Sequence, residues 1–424
     1  MTGRKHRREA LIAVLIIVAM LLSGCGSEEL STTVEEVSAR SGAAGFLAAK
    51  VEKSGGFIAS EAQREKASDY AFLYDNALAA VVLSRAGAQS HAEIIADAIV
   101  FAQTHDRTFH DGRLRNTYNS GDPVSDSGRS IAAGKVTIRI PGFWQNGRWQ
   151  EDAYTVSTST GNMAWAILAL CSAAKNAPEE KRAEYLEAAV RAADFVLTLR
   201  SENGGFTAGY EGWDDAQTKA TYKSTEHNID LYCAFTLLSD SLAATEQERA
   251  AEYGDAAQYA KAFVFSMYDP KLHCFYTGTE ADGKTVSDGV IPLDTNSLAV
   301  LAFGSELTDA EQVLSFVEER MTVGYGFDFS AGDLDGIWNE GTAQMAVCYL
   351  LLGDTEKYDR LMAYLDTQTE KDGSISAADK DDLSTGFVIS GSDMLWVYHH
   401  EQSIGATGWL ALAQLGENPF DLSD

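Results

Sequence analysis

Six stretches of this chain, residues 69–87, 159–175, 225–242, 294–304, 339–353 and 402–416, are apolar on nearly every side of a helix. A helix without a polar face has to be buried all round. Between them lie six amphipathic stretches, 31–53, 90–105, 179–200, 246–268, 308–321 and 355–370, each with one face fit for water. Most pairs are followed by a turn that joins a small residue to an aromatic or branched one: Gly56-Phe57, Gly205-Phe206, Cys274-Phe275, Gly326-Phe327, Ser374-Ile375. Helix pairs recurring roughly every 50 to 70 residues mark a repeat architecture. An inner ring buries the apolar helices on both flanks and an outer ring keeps the amphipathic ones half wet. The segment 31–53 then pairs with the last helix and closes the circle, which predicts an all-α (α/α)6 toroid with short β-hairpin-like turns on one face. An open solenoid is the alternative, but it needs polar capping helices, and the last segment, IGATGWLALAQL, is too apolar to be one.

The N-terminus has a different grammar. Arg4, Lys5, Arg7 and Arg8 precede an apolar run, Leu11 to Leu22, too short for a comfortable membrane span. Leu22-Ser23-Gly24-Cys25 resembles a bacterial lipobox. That resemblance implies a lipoprotein signal peptide over 1–24, lipidation of Cys25, a lipid-anchored linker over 25–30 and a single toroid over 31–424. An uncleaved anchor is the other reading of the same run. Both place the chain on the extracytoplasmic face of a membrane, at the cell surface or in the periplasm.

The formal charge is −29 and 45% of residues are hydrophobic. Nucleic acid is therefore excluded as a partner, while the apolar content suffices for one large core. Cys171, Cys233, Cys274 and Cys348 form no Cys-x-x-Cys pair and have no His at metal-ligand spacing, so small buried thiols are expected and no metal or cofactor. Asp333 and Asp335 do not make an EF-hand. The Asp379-Lys380-Asp381-Asp382 run lies in a Ser-rich polar stretch and reads as a solvated acidic loop.

If the ring forms, the turns before the inner helices open on one end. Ionisable and aromatic residues collect there: Asp75, Tyr154, Glu226, His227, Asp230, Asp294, Trp338, Glu340, His400 and Glu401, with Trp144 and Trp213 in nearby loops. Long aromatic loops on a rigid scaffold are where binding sites form. The runs TEHNID, PLDTNS, IWNEGTAQMA and IGATGWLALAQLGENPF, set in this helix pattern, resemble bacterial (α/α)6-toroid proteins that act on glycans, glycoside hydrolases above all. The resemblance covers nearly the whole chain beyond residue 30 as architecture, and implies a carbohydrate-facing cleft without assigning its acid or base.

Glycosidic cleavage needs one protonated carboxyl and one ionised one. Glu226, Asp230, Asp294 and Glu340 are the catalytic candidates. Partial burial beside Trp338 would push Glu340 toward a general acid, whereas the helix dipole favours an ionised Glu226. Each is also the kind of acid that ordinary helix starts carry, and Asp294 suits an N-cap. Asp75, Tyr154, His227, Trp213, Trp338, His400 and Glu401 are expected to bind the poly- or oligosaccharide. Two other functions suit the same fold. A uronate lyase or epimerase would use His227 or Tyr154 as base and Arg139 or Arg148 to neutralise the carboxylate, against the acidic balance. A non-catalytic glycan-binding lipoprotein would keep only the cleft.

Overall fold

The computed structural model describes residues 32–61, 69–123, 129–132, 134–388 and 394–421. The signal segment 1–24, Cys25 and the linker 25–30 lie outside the described residues. Among the described residues no helix is long and apolar enough to cross a membrane.

The helices are α1 (Val34–Arg40), α2 (Gly42–Ser54), α3 (Leu73–Arg85), α4 (Gln89–Thr104), α5 (Ala153–Val156), α6 (Thr160–Asn176), α7 (Glu179–Leu197), α8 (Thr225–Leu242), α9 (Gln247–Ser266), α10 (Leu293–Phe303), α11 (Ala310–Met321), α12 (Asn339–Leu352), α13 (Thr355–Gln368) and α14 (Ile404–Leu415). Helix α3 packs on α6, α6 on α8, α8 on α10, α10 on α12, α12 on α14, and α14 returns to α3. That is a closed inner ring of six. Each inner helix is backed by an amphipathic neighbour: α4, α7, α9, α11, α13 and, for α14, α2. The expected (α/α)6 toroid is the fold.

One predicted element is interrupted. The amphipathic segment 31–53 breaks at Ser41, whose extended backbone ends α1 and caps α2, its Oγ accepting the Ala44 N–H. Ser41 Oγ also donates to Gln414 Oε1 at 2.6 Å, tying the first segment to the last helix and closing the ring.

The inner helices bury nearly everything they carry. In α12 every residue from Asn339 to Tyr349 is buried, and α14 is buried from Ile404 to Ala413. At about 1.5 to 3 kcal/mol for each large apolar side chain taken out of water, this ring is the main source of stability. Close packing needs small residues: a Cβ on Gly408 would lie 2.8 Å from Leu78 Cδ2, across the α14–α3 contact.

A repeated hydrogen bond sets the register. The fourth residue of each inner helix reaches back to a preceding turn. Asn76 Oδ1 accepts the Ile58 N–H, Asn228 Oδ1 that of Phe206 and Asn296 Oδ1 that of Phe275, each at 2.8 Å. Thr342 and Thr407 hydroxyls accept the N–H of Phe327 and Ile375 at 3.1 and 3.2 Å. In α6 the Met163 sulfur stands in the same position, 3.2 Å from the Leu114 nitrogen. Buried backbone groups must be paired, so this side chain fixes how each connection docks onto the helix it precedes.

The two ends of the ring differ. Inner-to-outer links are short, as at 86–88 and 353–354, whereas among the described residues every strand lies in an outer-to-inner connection, and two of the sheets join strands from neighbouring connections. All long loops therefore gather at the N-terminal ends of the inner helices. Two hairpins there carry aromatic residues: 143–150, in which Trp144 faces Trp149, and Leu383–Val388 with Leu395–Tyr398.

Candidate active site

The repeat that sets the register also builds the site. At the second position of three successive inner helices, α8, α10 and α12, stand Glu226, Asp294 and Glu340, and Asp75 is the third residue of α3. Equivalent positions in a closed ring point the same way, so Glu226, Asp294 and Glu340 converge, and Asp75, one residue past this register, comes up beside Glu340 above Gly405. At that register α6 and α14 carry Gly161 and Gly405, which leaves space where the other helices place side chains. Asp230, one turn deeper on α8, lies beneath Glu226.

Glu340 is the most precisely held of the five. It is 8% exposed, and its Oε1 accepts the Tyr74 hydroxyl at 2.7 Å. Tyr74 in turn accepts the Trp409 indole N–H at 2.8 Å and sits edge-on to Trp165. The second oxygen, Oε2, and Asp75 Oδ1 lie 2.7 and 3.0 Å from the point where a Gly405 Cβ would be, so the two carboxyls share the space above that glycine.

Burial dominates the electrostatics. It raises Glu340 to about 8 and Asp75 to about 7, with Tyr74 and Ser60 hydrogen bonds acting in the opposite direction. Asp294 rises to about 6 for the same reason, held back by the Thr295 N–H that its Oδ1 accepts at 2.6 Å. Glu226 is pushed well above the carboxylate range by burial and then by Asp294, Asp230 and Glu340. Asp230 moves the same way through burial and Asp294. No lysine or arginine among the described residues acts to lower any of the five. The expectation that the helix dipole would keep Glu226 ionised is corrected: a dipole contribution of about 0.3 to 1 kcal/mol at an exposed helix end is overridden by desolvation and like charge.

Tyr398, which the sequence reading missed, lies within the electrostatic reach of four of the acids. Burial and the neighbouring Glu340, Asp294, Glu226 and Asp75 all raise its pKa. It comes from the Leu395–Tyr398 strand and lies on Trp338 with ring centroids 5.7 Å apart and planes 22° apart. Tyr154 enters from α5: its hydroxyl feels Asp75 and Glu226, while its ring stands edge-on to Trp396 at 5.8 Å. These two tyrosines bring the long loops over the acids.

The remaining predicted residues are placed as follows. Trp338 is 2% exposed and supports Tyr398 from below; it is not a wet stacking platform. Trp213 and Trp144 are 52% and 72% exposed on loops of the same end, and the Trp213 indole donates to Glu151 O at 2.9 Å. His227 packs on Gly161 with its Nε2 3.4 Å from Ser159 Oγ, and burial lowers its pKa to about 4, so it is neutral. His400 Nδ1 meets the Ala378 carbonyl at 2.9 Å. Glu401 adds negative charge beside Glu61, whose pKa burial raises. Asp328, Asp333 and Asp335 each bring an oxygen within 4.8 Å of the others, but two Asp328 contacts are to backbone N–H groups and Lys380 already lies 3.0 Å from Asp335. The four cysteines of the toroid are buried and free.

No known family pattern and no curated protein matches the chain by sequence. Solved structures do share its fold. A glycosidase variant in complex with glucose superposes with a TM-score of 0.60 at 13% identity, over 93% of this chain and 99% of that one. A bacterial glucoamylase complexed with acarbose gives 0.59 at 13% identity, over 89% of this chain and 55% of its own. A sugar epimerase from a ruminal bacterium gives 0.57 at 12% identity, over 90% and 98%.

Proposed function

We infer that this protein is a glycoside hydrolase acting on a poly- or oligosaccharide, with Glu226 as general acid and with Glu340, which loses its proton only as pH rises toward 8, as the base or nucleophile in its ionised form. The observation that carries this reading is the convergence of acids from consecutive inner helices on one chamber, with Glu340 locked by Tyr74. Glu226 has three acidic neighbours acting on it and no hydrogen-bond donor among the described residues offsets them, so burial and like charge keep its proton on, as a general acid requires. Glu340 has one oxygen occupied by the Tyr74 hydroxyl and the other free to face a water or the anomeric carbon. Glycan-active neighbours of the same fold support the assignment in kind.

A uronate substrate fits poorly. It would bring another carboxylate into a chamber that already holds five acids and, among the described residues, no countercharge, and Arg148 lies exposed at the end of its hairpin. The lipobox supports export and a tether through lipidated Cys25, which radiolabelled palmitate incorporation, lost in Cys25→Ser, would establish.

The decisive test is incubation of the purified protein with neutral and acidic polysaccharides, following new reducing ends and unsaturated-uronate absorbance together. Reducing ends alone are expected. Absorbance would mean a lyase. Silence across the panel with retained glycan binding would mean a binding protein.

A further inference from the structure

Asp230 is a buried acid that the two-carboxyl mechanism does not use. It is 0% exposed, and neither carboxyl oxygen has a hydrogen-bond partner. The Trp165 indole is the one group that eases its charge, without the geometry of a full hydrogen bond. Leaving a buried carboxyl unsatisfied costs free energy that a native fold rarely concedes without use. It stands one turn below Glu226 on the same side of α8, and the Trp165 ring beside it is edge-on to Tyr74, which holds Glu340, so it belongs with the other acids and not with the surrounding core.

Resting on the hydrolase reading above, we propose that the sugar ring seated in this chamber carries a primary ammonium group, bound by Asp230 together with Asp294. The argument is one of matching donors to acceptors. A carboxyl that pairs with an ammonium gives up its proton and then only accepts, and an ammonium offers three donors, no acceptor and a positive charge that the described residues around these acids do not supply. A hydroxyl brings one donor together with lone pairs of its own, and a carboxylate brings only more of what is already in excess. A bare metal ion needs a tight ligand shell, and among the described residues only the Asp328 cluster brings three such groups within 4.8 Å. The depth of Asp230, one helical turn below Glu226, puts the amine on the part of the ring that enters deepest, away from the scissile bond.

The test is calorimetric binding of matched methyl glycosides in the gluco, galacto and manno series: the neutral parent, its 2-amino and 6-amino forms, and its uronate. One amine is expected to bind about tenfold or more tighter than its parent, and the uronate more weakly than either. The ratio of amine to parent affinity should fall about tenfold in Asp230→Asn, and Asp294→Asn provides the same reading should the first variant misfold. Asp333→Asn, outside the chamber, should leave the ratio unchanged. The proposal falls if no amine outbinds its parent, or if the advantage survives both chamber variants. Hydrolysis of neutral glycans without amine preference would sink this inference and leave the hydrolase reading intact. Amine preference without hydrolysis would do the reverse.

Discussion

Tyr74 and Gly405 decide what Glu340 can do. The Tyr74 hydroxyl lies 2.7 Å from Oε1 and fixes the carboxyl plane. In Tyr74→Phe, kcat should fall about 10- to 100-fold with KM little changed, because the lost bond orients a reacting group and not the sugar. Gly405→Ala adds a methyl that would meet Glu340 Oε2 at 2.7 Å and Asp75 Oδ1 at 3.0 Å. Alanine favours a helix, so thermal stability should hold while turnover drops about 100-fold, a split visible by comparing melting curves with initial rates. Glu226→Gln and Glu340→Gln should each abolish turnover, by about a thousandfold or more, while a glycan ligand still binds. The acids themselves were legible in the sequence, because helix starts can be read and these residues stand at them. Tyr398 and Gly405 were not, since nothing local in LWVYHHEQ or SIGATGW says what lies across the ring.

At the level of the element, the clamp at the fourth position of each inner helix is the recurring device. Asn228 shows its full form: Oδ1 accepts the Phe206 N–H at 2.8 Å while Nδ2 donates to the Phe206 and Ser224 carbonyls at 3.1 and 2.8 Å. Asn228→Ala would leave the Phe206 N–H and C=O buried without partners and should cost about 2 to 4 kcal/mol in urea unfolding. Asn228→Thr should cost about half as much, since threonine makes this bond in α12 and α14. The spacing of these Asn and Thr residues is a signal present in the sequence at a constant offset. It went unread because hydrophobic periodicity draws attention to apolar positions and treats a polar residue near a helix start as a cap. The break at Ser41 was missed for a related reason: Ser-Gly inside an amphipathic run is compatible with a continuous helix, and the bond to Gln414, 373 residues away, chooses otherwise.

For the whole molecule, the buried acids make stability depend on pH in a direction opposite to that of ordinary salt-bridged carboxylates. Asp294, Asp75 and Glu340 titrate near 6, 7 and 8 in the fold, above their usual values of 3.8 and 4.5. The folded state thus binds protons more tightly than the unfolded one, and this contribution is complete below about pH 4 and lost as pH rises through 6 to 8. Asp214 behaves conversely: the buried Arg115, with Arg107, holds its carboxyl well below the usual range, so its stabilising share is present above about pH 4 and disappears as pH falls. The melting temperature of the unliganded protein should therefore peak between about pH 4 and 6 and decline toward pH 8. Asp230→Asn should flatten that decline, raising the midpoint at pH 8 by about 2 °C or more. Scanning calorimetry across that range would reveal either behaviour.

The sequence by itself determined the ring. Apolar-all-round helices alternating with amphipathic ones have few ways to hide their surfaces, and six such pairs with an apolar last member must close, because burial is a demand that each segment states locally. Tertiary structure alone decided the chemistry within it. Which acid faces which, the Tyr74 bond that fixes Glu340, the lack of a countercharge around Asp230 among the described residues and the reversal of the expected Glu226 ionisation all arise from groups far apart in the chain. Their electrostatic energies depend on distance and solvent exclusion, and only the closed ring sets those.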